Sequence, residues 1–140
     1  MLDWVPSAPY TAEQLLEVLR ILRDPENGCP WDKVQTHESL REAMLEEAYE
    51  AVDAIDRKDH ANLCEELGDV LFQVALHSVI AEEEGLFTVE DVIRDVSSKM
   101  KFRHPKIFSP EDKQLAGLSW EELKQLEKAT EEEPEKAEKP

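Results

Sequence analysis

Apolar and polar residues nowhere alternate along this chain over the length of a strand. Apolar positions recur instead at intervals of three and four, and only four glycines interrupt them. Helices are therefore the expected route to a core. Their starts are marked by side chains able to bond free helical amides. Thr11 with Gln14 has the spacing of a capping box and predicts a first helix to about Arg23. The run Asp24-Pro25-Glu26-Asn27-Gly28-Cys29-Pro30-Trp31-Asp32 cannot continue that helix and reads as a turn-rich connection. A second helix is expected from about Thr36 to about Lys58. A third, capped by Asp59, should run from His60 to about Glu84, where Gly85 stops it. Thr88 with Asp91 opens a fourth that ends before Pro105, and Ser119 with Glu122 opens a short fifth. From Thr130 onward no apolar residue is larger than alanine, so that stretch is expected to be disordered. The expected organisation is an N-terminal extension (1–10), one all-α domain (11–129) and an acidic tail (130–140).

At 140 residues with 41% hydrophobic content the chain can bury the core of one domain. A formal net charge of −17 argues against nucleic acid or an anionic membrane as partner. A polyanionic substrate would need a cation to mediate the meeting. Cys29 and Cys64 lack metal-type spacing, the N-terminus lacks the pattern of a signal peptide, and no apolar run approaches membrane-spanning length. The expected compartment is the cytoplasm.

Acids fill about a quarter of the positions, so a Glu-Glu-x-x-Glu pattern is expected by chance roughly once. The direction in which the acids point is more informative than the pattern. On a helix turning about 100° per residue, Leu40, Met44, Ala48, Ala51 and Ile55 define an apolar arc with Ala43 and Ala54 at its shoulder. Glu47 falls inside the arc and Glu50 at its edge, whereas Glu42, Glu46 and Asp53 project outward. On the third helix Glu66, Asp69, Gln73 and His77 form a narrow polar stripe through an otherwise apolar segment. Glu66 and Asp69, three apart, share one face. Two helices thus each turn a carboxylate pair inward. Burying unpaired carboxylates costs several kcal/mol, about what a shared cation must offset. Hard oxygen donors select Mg²⁺ or Mn²⁺.

The fourth helix has the opposite sign. Lys99 and Arg103, four apart, lie on the side of its apolar row Val89, Val92, Val96 and Met100, while Arg94 and Lys101 point away. Stems covering the rim of a core explain this pair equally well. Beside a carboxylate-bound metal the two would clamp phosphate. His77 reads as a hydrogen-bonded core histidine sooner than a ligand. Trp31, in a Pro-Trp-Asp turn, either pins its loop or stacks on a nucleobase.

Glu46-Glu47-x-x-Glu50 followed by Glu66-x-x-Asp69 resembles the signature of the MazG family of all-α nucleoside triphosphate pyrophosphohydrolases. The segments Arg23-Asp24-Pro25-Glu26-Asn27-Gly28-Cys29-Pro30-Trp31-Asp32-Lys33-x-Gln35-Thr36, Glu66-Leu67-Gly68-Asp69-Val70-Leu71-Phe72-Gln73 and Arg103-His104-Pro105 are similar to that family as well. The resemblance covers roughly residues 11–130 and is closest to the N-terminal copy of members that carry two tandem domains.

It implies a four-helix-bundle-like domain, Mg²⁺ on Glu47, Glu50, Glu66 and Asp69, and assembly into a homodimer or homotetramer. It implies hydrolysis of a nucleoside triphosphate to the monophosphate and pyrophosphate, a housecleaning activity on nucleotide pools. Glu46 or Glu47 would act as base, Lys99 and Arg103 would hold the phosphates, and Trp31 and Lys33 would contribute to nucleotide binding. Catalytic copies often carry a lysine one turn before each carboxylate pair, where this chain has Ala43 and Asn62. That departure keeps open a second reading, a catalytically silent nucleotide-binding or dimerisation module. A di-iron carboxylate bundle ranks far below, because no Glu-x-x-His pair occurs.

Overall fold

The computed structural model describes residues 9–131, so most of the expected extension and tail lies outside the described residues. Seven α-helices occur among them: α1 (Ala12–Leu22), α2 (Arg41–Asp56), α3 (His60–Glu83), α4 (Val89–Phe102), α5 (Pro105–Phe108), α6 (Lys113–Ala116) and α7 (Trp120–Glu131). Two single 3-10 turns, Asp32–Val34 and Glu38–Leu40, precede α2, and no strand is present among the described residues. The fold is all-α. The chain divides into two compact units, one ending at Glu84 and the other beginning at Gly85.

The caps explain where the helices begin. The Thr11 and Thr88 hydroxyls accept from Gln14 and Asp91 amides, with the reciprocal bonds of a capping box. Asp59 accepts from the Asn62 amide at 3.1 Å and opens α3, and Gly85, at φ 71°, follows its end. The second helix starts later than expected. Thr36 and Ser39 do cap each other, each backbone amide donating to the other's hydroxyl at 2.8 and 3.1 Å. The turn they open is 3-10, and regular α geometry begins only at Arg41. The short helices α5 and α6 were not foreseen.

In the first unit α3 packs against both α1 and α2. Its core is Leu16 and Leu19 of α1, Leu40 before α2, Ala51 and Ala54 of α2, and the near-continuous run Ala75, Leu76, Val79, Ile80 and Ala81 of α3. The inward arc of α2 is rotated from the expected one: Ala48 is exposed and Ile55 is 56% exposed. With Leu45, Tyr49 and Val52 they make an apolar row at positions 45, 48, 49, 52 and 55 on the outer side. Leu67 and Leu71, four apart on α3, are exposed too.

The connection from α1 to α2 is held by Arg23, whose side chain is only 9% exposed. It forks onto Glu83 with two bonds of 2.8 Å and donates through Nη1 to the carbonyls of Asp32 and Gln35 at 2.8 and 2.9 Å. Gly28 is needed in this connection because a Cβ there would lie 2.4 Å from the Leu22 carbonyl oxygen.

The turn between α2 and α3 is a Schellman motif. Lys58 N–H donates to the Ile55 carbonyl and Asp59 N–H to the Ala54 carbonyl, both at 3.0 Å. Lys58 occupies the left-handed position usually given to glycine, with φ 56°.

In the second unit α4 packs against α5 and α7, and Leu123 of α7 is buried. Arg103, just past α4, makes a two-pronged ion pair with Glu127 of α7 (3.2 and 3.0 Å), and its guanidinium lies 5.3 Å from the Trp120 ring centroid.

Candidate metal centre

The Schellman turn sets the register of α2 on α3. Glu50 and Glu66 each lie eight residues from Lys58, and Glu47 and Asp69 each lie eleven. Folding the chain back at Lys58 therefore sets Glu50 opposite Glu66 and Glu47 opposite Asp69. One oxygen from each of the four carboxylates lies within 4.8 Å of the others. Glu66 is 8% exposed and Glu47 half-buried, while Glu50 and Asp69 form the solvent side. The inward reading is met for Glu47 and Glu66 but not for Glu50 and Asp69, which were expected inward and are exposed, because each stands at the edge of its helix's buried face; the rotated arc of α2 sets Glu47 closer to its middle.

The electrostatics of the cluster is unfavourable without a cation. Burial holds Glu47 above the usual carboxylate range, and Asp69, Glu50 and Glu46 push it the same way. Glu66 is pushed up to about 7, first by burial and then by Glu50 and Asp69. The buried atoms Glu47 Oε2 and Glu66 Oε2 have no hydrogen-bond partner. Orphaned, converging carboxylate oxygens are the donor set that a hard divalent cation satisfies, so the residues present fit such an ion.

Other candidates sort as follows. Glu46 is exposed on α2 beside the cluster. Gln73 is 5% exposed with its Oε1 unpartnered. His77 is hydrogen-bonded as expected, and its partner is His37, the two Nδ1 atoms lying 2.7 Å apart. Burial, and then His37, lower the His77 pKa. Trp31 is 59% exposed. Lys33 donates to the Pro25 carbonyl at 3.2 Å and shares a cleft with Arg20, Arg23, Glu82 and Glu83. That cleft borders the end of α3, roughly 20 Å from Asp69 at 1.5 Å of rise per residue. Lys99 and Arg103 belong to the second unit, Lys99 half-buried in the last turn of α4 and Arg103 engaged by Glu127.

Two contacts had gone unnoticed in the sequence. With its amide oriented by its neighbours, Asn62 donates to Glu66 Oε1 at 3.2 Å and accepts from Arg57 Nη2. Only the position of Asn62, one turn before Glu66, signalled it.

A family model, the MazG nucleotide pyrophosphohydrolase domain, matches residues 35–108, more than half of the 140. The chain belongs to this family. The match contains all four carboxylates of the cluster and the Lys99/Arg103 pair. This MazG domain is 47% identical over 116 residues to a Thermotoga maritima nucleoside triphosphate pyrophosphohydrolase/pyrophosphatase MazG, covering 83% of the chain and 45% of the relative. It is 45% identical over 120 residues to an Escherichia coli K12 nucleoside triphosphate pyrophosphohydrolase, covering 84% and 46%. An uncharacterized Bacillus subtilis protein, YabN, is 51% identical over 118 residues, covering 82% and 24%. The chain thus spans less than half the length of these curated relatives. A solved mazG-related protein from Thermotoga maritima superposes with a TM-score of 0.60 at 33% identity, covering 86% of this chain and 99% of that one. No helix among the described residues is long and apolar enough to cross a membrane.

Proposed function

We propose that this MazG domain, residues 11–129, is a Mg²⁺-dependent hydrolase that cuts nucleoside triphosphates, ribo or deoxy, to the monophosphate and pyrophosphate. The observation that carries the reading is the convergence of Glu47, Glu50, Glu66 and Asp69 within 4.8 Å, two of them with an orphaned buried oxygen. Those four residues would hold Mg²⁺, with Mn²⁺ as substitute. When bound, the ion supplies charge neutralisation of the triphosphate and makes water more acidic.

The reaction forms a bond from a water oxygen to the α-phosphorus and breaks the bridging bond to the β-phosphate, so pyrophosphate leaves as one group. The water proton passes to a carboxylate. Glu46 or Glu47 would take it; the two charges lie close enough for Glu46 to help raise Glu47. Lys99 and Arg103 hold the phosphates as charge develops, which requires Arg103 to exchange Glu127 for substrate oxygen. Trp31 and Lys33 contribute to the nucleotide pocket, Lys33 by leaving the Pro25 carbonyl.

The apolar row Leu45, Tyr49, Val52 and Ile55, exposed in the single chain, supports a second copy as partner, in a homodimer or a homotetramer. Neither nucleic acid nor membrane is proposed as a partner of so acidic a chain. The place of action is the cytoplasm, where triphosphate pools lie.

One observation favours the alternative, a silent nucleotide-binding module: Asn62 bonds Glu66 where catalytic copies often have a lysine. Turnover decides between them. A panel of ordinary and modified triphosphates with Mg²⁺, read by pyrophosphate release, should give product that disappears with Glu50→Gln. Metal binding with no product from any nucleotide would select the silent module.

A further inference from the structure

Glu66 presents two oxygens in different states. Oε2 is buried without a partner, whereas Oε1 accepts from Asn62 Nδ2 at 3.2 Å once the Asn62 amide is turned so that its oxygen faces Arg57 and its nitrogen faces Glu66. The Asn62 side chain is fixed from its other end, because its Oδ1 accepts from Arg57 Nη2 at 2.5 Å. Arg57 is itself fixed: Nε donates to Asp53 Oδ2 at 2.8 Å and Nη1 to Asp59 Oδ2 at 3.3 Å. The backbone beneath is equally constrained, since Asp59 caps Asn62 N–H and Arg57 caps the end of α2 in the Schellman turn. Every link of the chain Arg57, Asn62, Glu66 thus has a stated partner, and the one oxygen left over at its end is Glu66 Oε2.

We propose that Asn62, held by Arg57, is a positioning residue that engages Glu66 Oε1 and so reserves Oε2 for a divalent cation. The inference rests on the reading of the four carboxylates as a metal site. Ligands that are oriented from behind bind more tightly because the rotamer is chosen before the ion arrives. An amide does this without adding charge. A lysine in its place would also bond the carboxylate, but as a cation beside the ion.

Isothermal titration with Mn²⁺ alone, together with melting of the metal-free protein, tests the assignment. Asn62→Ala should weaken Mn²⁺ binding about tenfold or more, the usual effect of losing an orienting partner, with metal-free melting close to the parent's. Asn62→Ser, whose hydroxyl is too short to reach Glu66, should do the same and stands in should the alanine variant fold poorly. Arg57→Gln should weaken binding by less, about threefold, and should add nothing in an Asn62→Ala background, since it acts through Asn62. If Arg57 influenced the site by charge alone, removing it would tighten Mn²⁺ binding, and that sign would overturn the proposal. So would affinities of the Asn62 variants within twofold of the parent, or a loss of affinity matched by a collapse of metal-free stability. A parent protein that binds no Mn²⁺ would defeat the metal-site reading itself, and this inference with it.

Discussion

Metal binding should be strongly pH-dependent near neutrality, because the ion must displace a proton from Glu66. That carboxyl sits at about 7 in the metal-free protein instead of 4.5. A cation requires the ionised form, so the apparent dissociation constant is multiplied by one plus the ratio of protonated to ionised Glu66. At pH 8 the factor is about 1.1, at pH 7 about 2 and at pH 6 about 11, so affinity should fall about tenfold between pH 8 and pH 6. The upward push on Glu47 makes that a lower bound. Calorimetric titration with Mn²⁺ in two buffers of different ionisation enthalpy reads the proton directly, and about 0.9 proton should be released per ion at pH 6. The stability of the metal-free protein carries the matching sign. A carboxyl raised in the folded state contributes stability that is fully present below about 4.5 and is lost as pH rises through about 7. Glu66→Gln should flatten that slope. Mn²⁺ affinity equal at pH 6 and pH 8, with no proton released, would mean that Glu66 is not protonated where the ion binds.

Three further outcomes are expected. Arg23→Met should remove two charge-assisted bonds to half-buried loop carbonyls and one exposed pair, costing about 3 kcal/mol, or a fall of about 10 °C in melting temperature; Arg23→Lys should not rescue it, since one ammonium cannot make the fork. Lys58→Gly should relieve the left-handed strain and leave the protein as stable or raise melting by about 2 °C, as scanning calorimetry would show. Lys99→Ala should lower kcat/KM at least about tenfold with melting unchanged, while Arg103→Ala should lower both, because its guanidinium also anchors α7 through Glu127. Unchanged kinetics in the Lys99 variant would remove it from the phosphate clamp.

The sequence disclosed those features whose cause lies within a few residues. The caps at Thr11, Asp59, Thr88 and Ser119 bond backbone amides three positions on, so their spacing alone announces them. The inward turn of Glu47 and Glu66 was legible for a related reason, since helical periodicity is fixed and each acid stands among apolar neighbours. The facing of the two carboxylate pairs follows once the turn at Lys58 is known. Contacts set by tertiary packing were not legible. His37 meets His77 across forty positions and Arg103 meets Glu127 across twenty-four, and no local pattern encodes either. Ala48 and Ile55 misled because the apolar arc of α2 is wider than one core needs. Its outer part faces solvent in a single chain, so periodicity could not tell core from an exposed row. Arg57 carries no local signal of a role at the cluster, and only folding brings it to Asn62.

In the proposed reaction this MazG domain directs water to the α-phosphorus of a nucleoside triphosphate. Hydrolysis of a triphosphate that the domain turns over, run in oxygen-18-labelled water with Mg²⁺ and read by mass spectrometry, tests it directly. Label is expected in the nucleoside monophosphate, none in newly released pyrophosphate, and no diphosphate at any time. Label in pyrophosphate would place the attack at the β-phosphorus, and accumulating diphosphate would place it at the γ-phosphorus. Either result would rule out attack at the α-phosphorus.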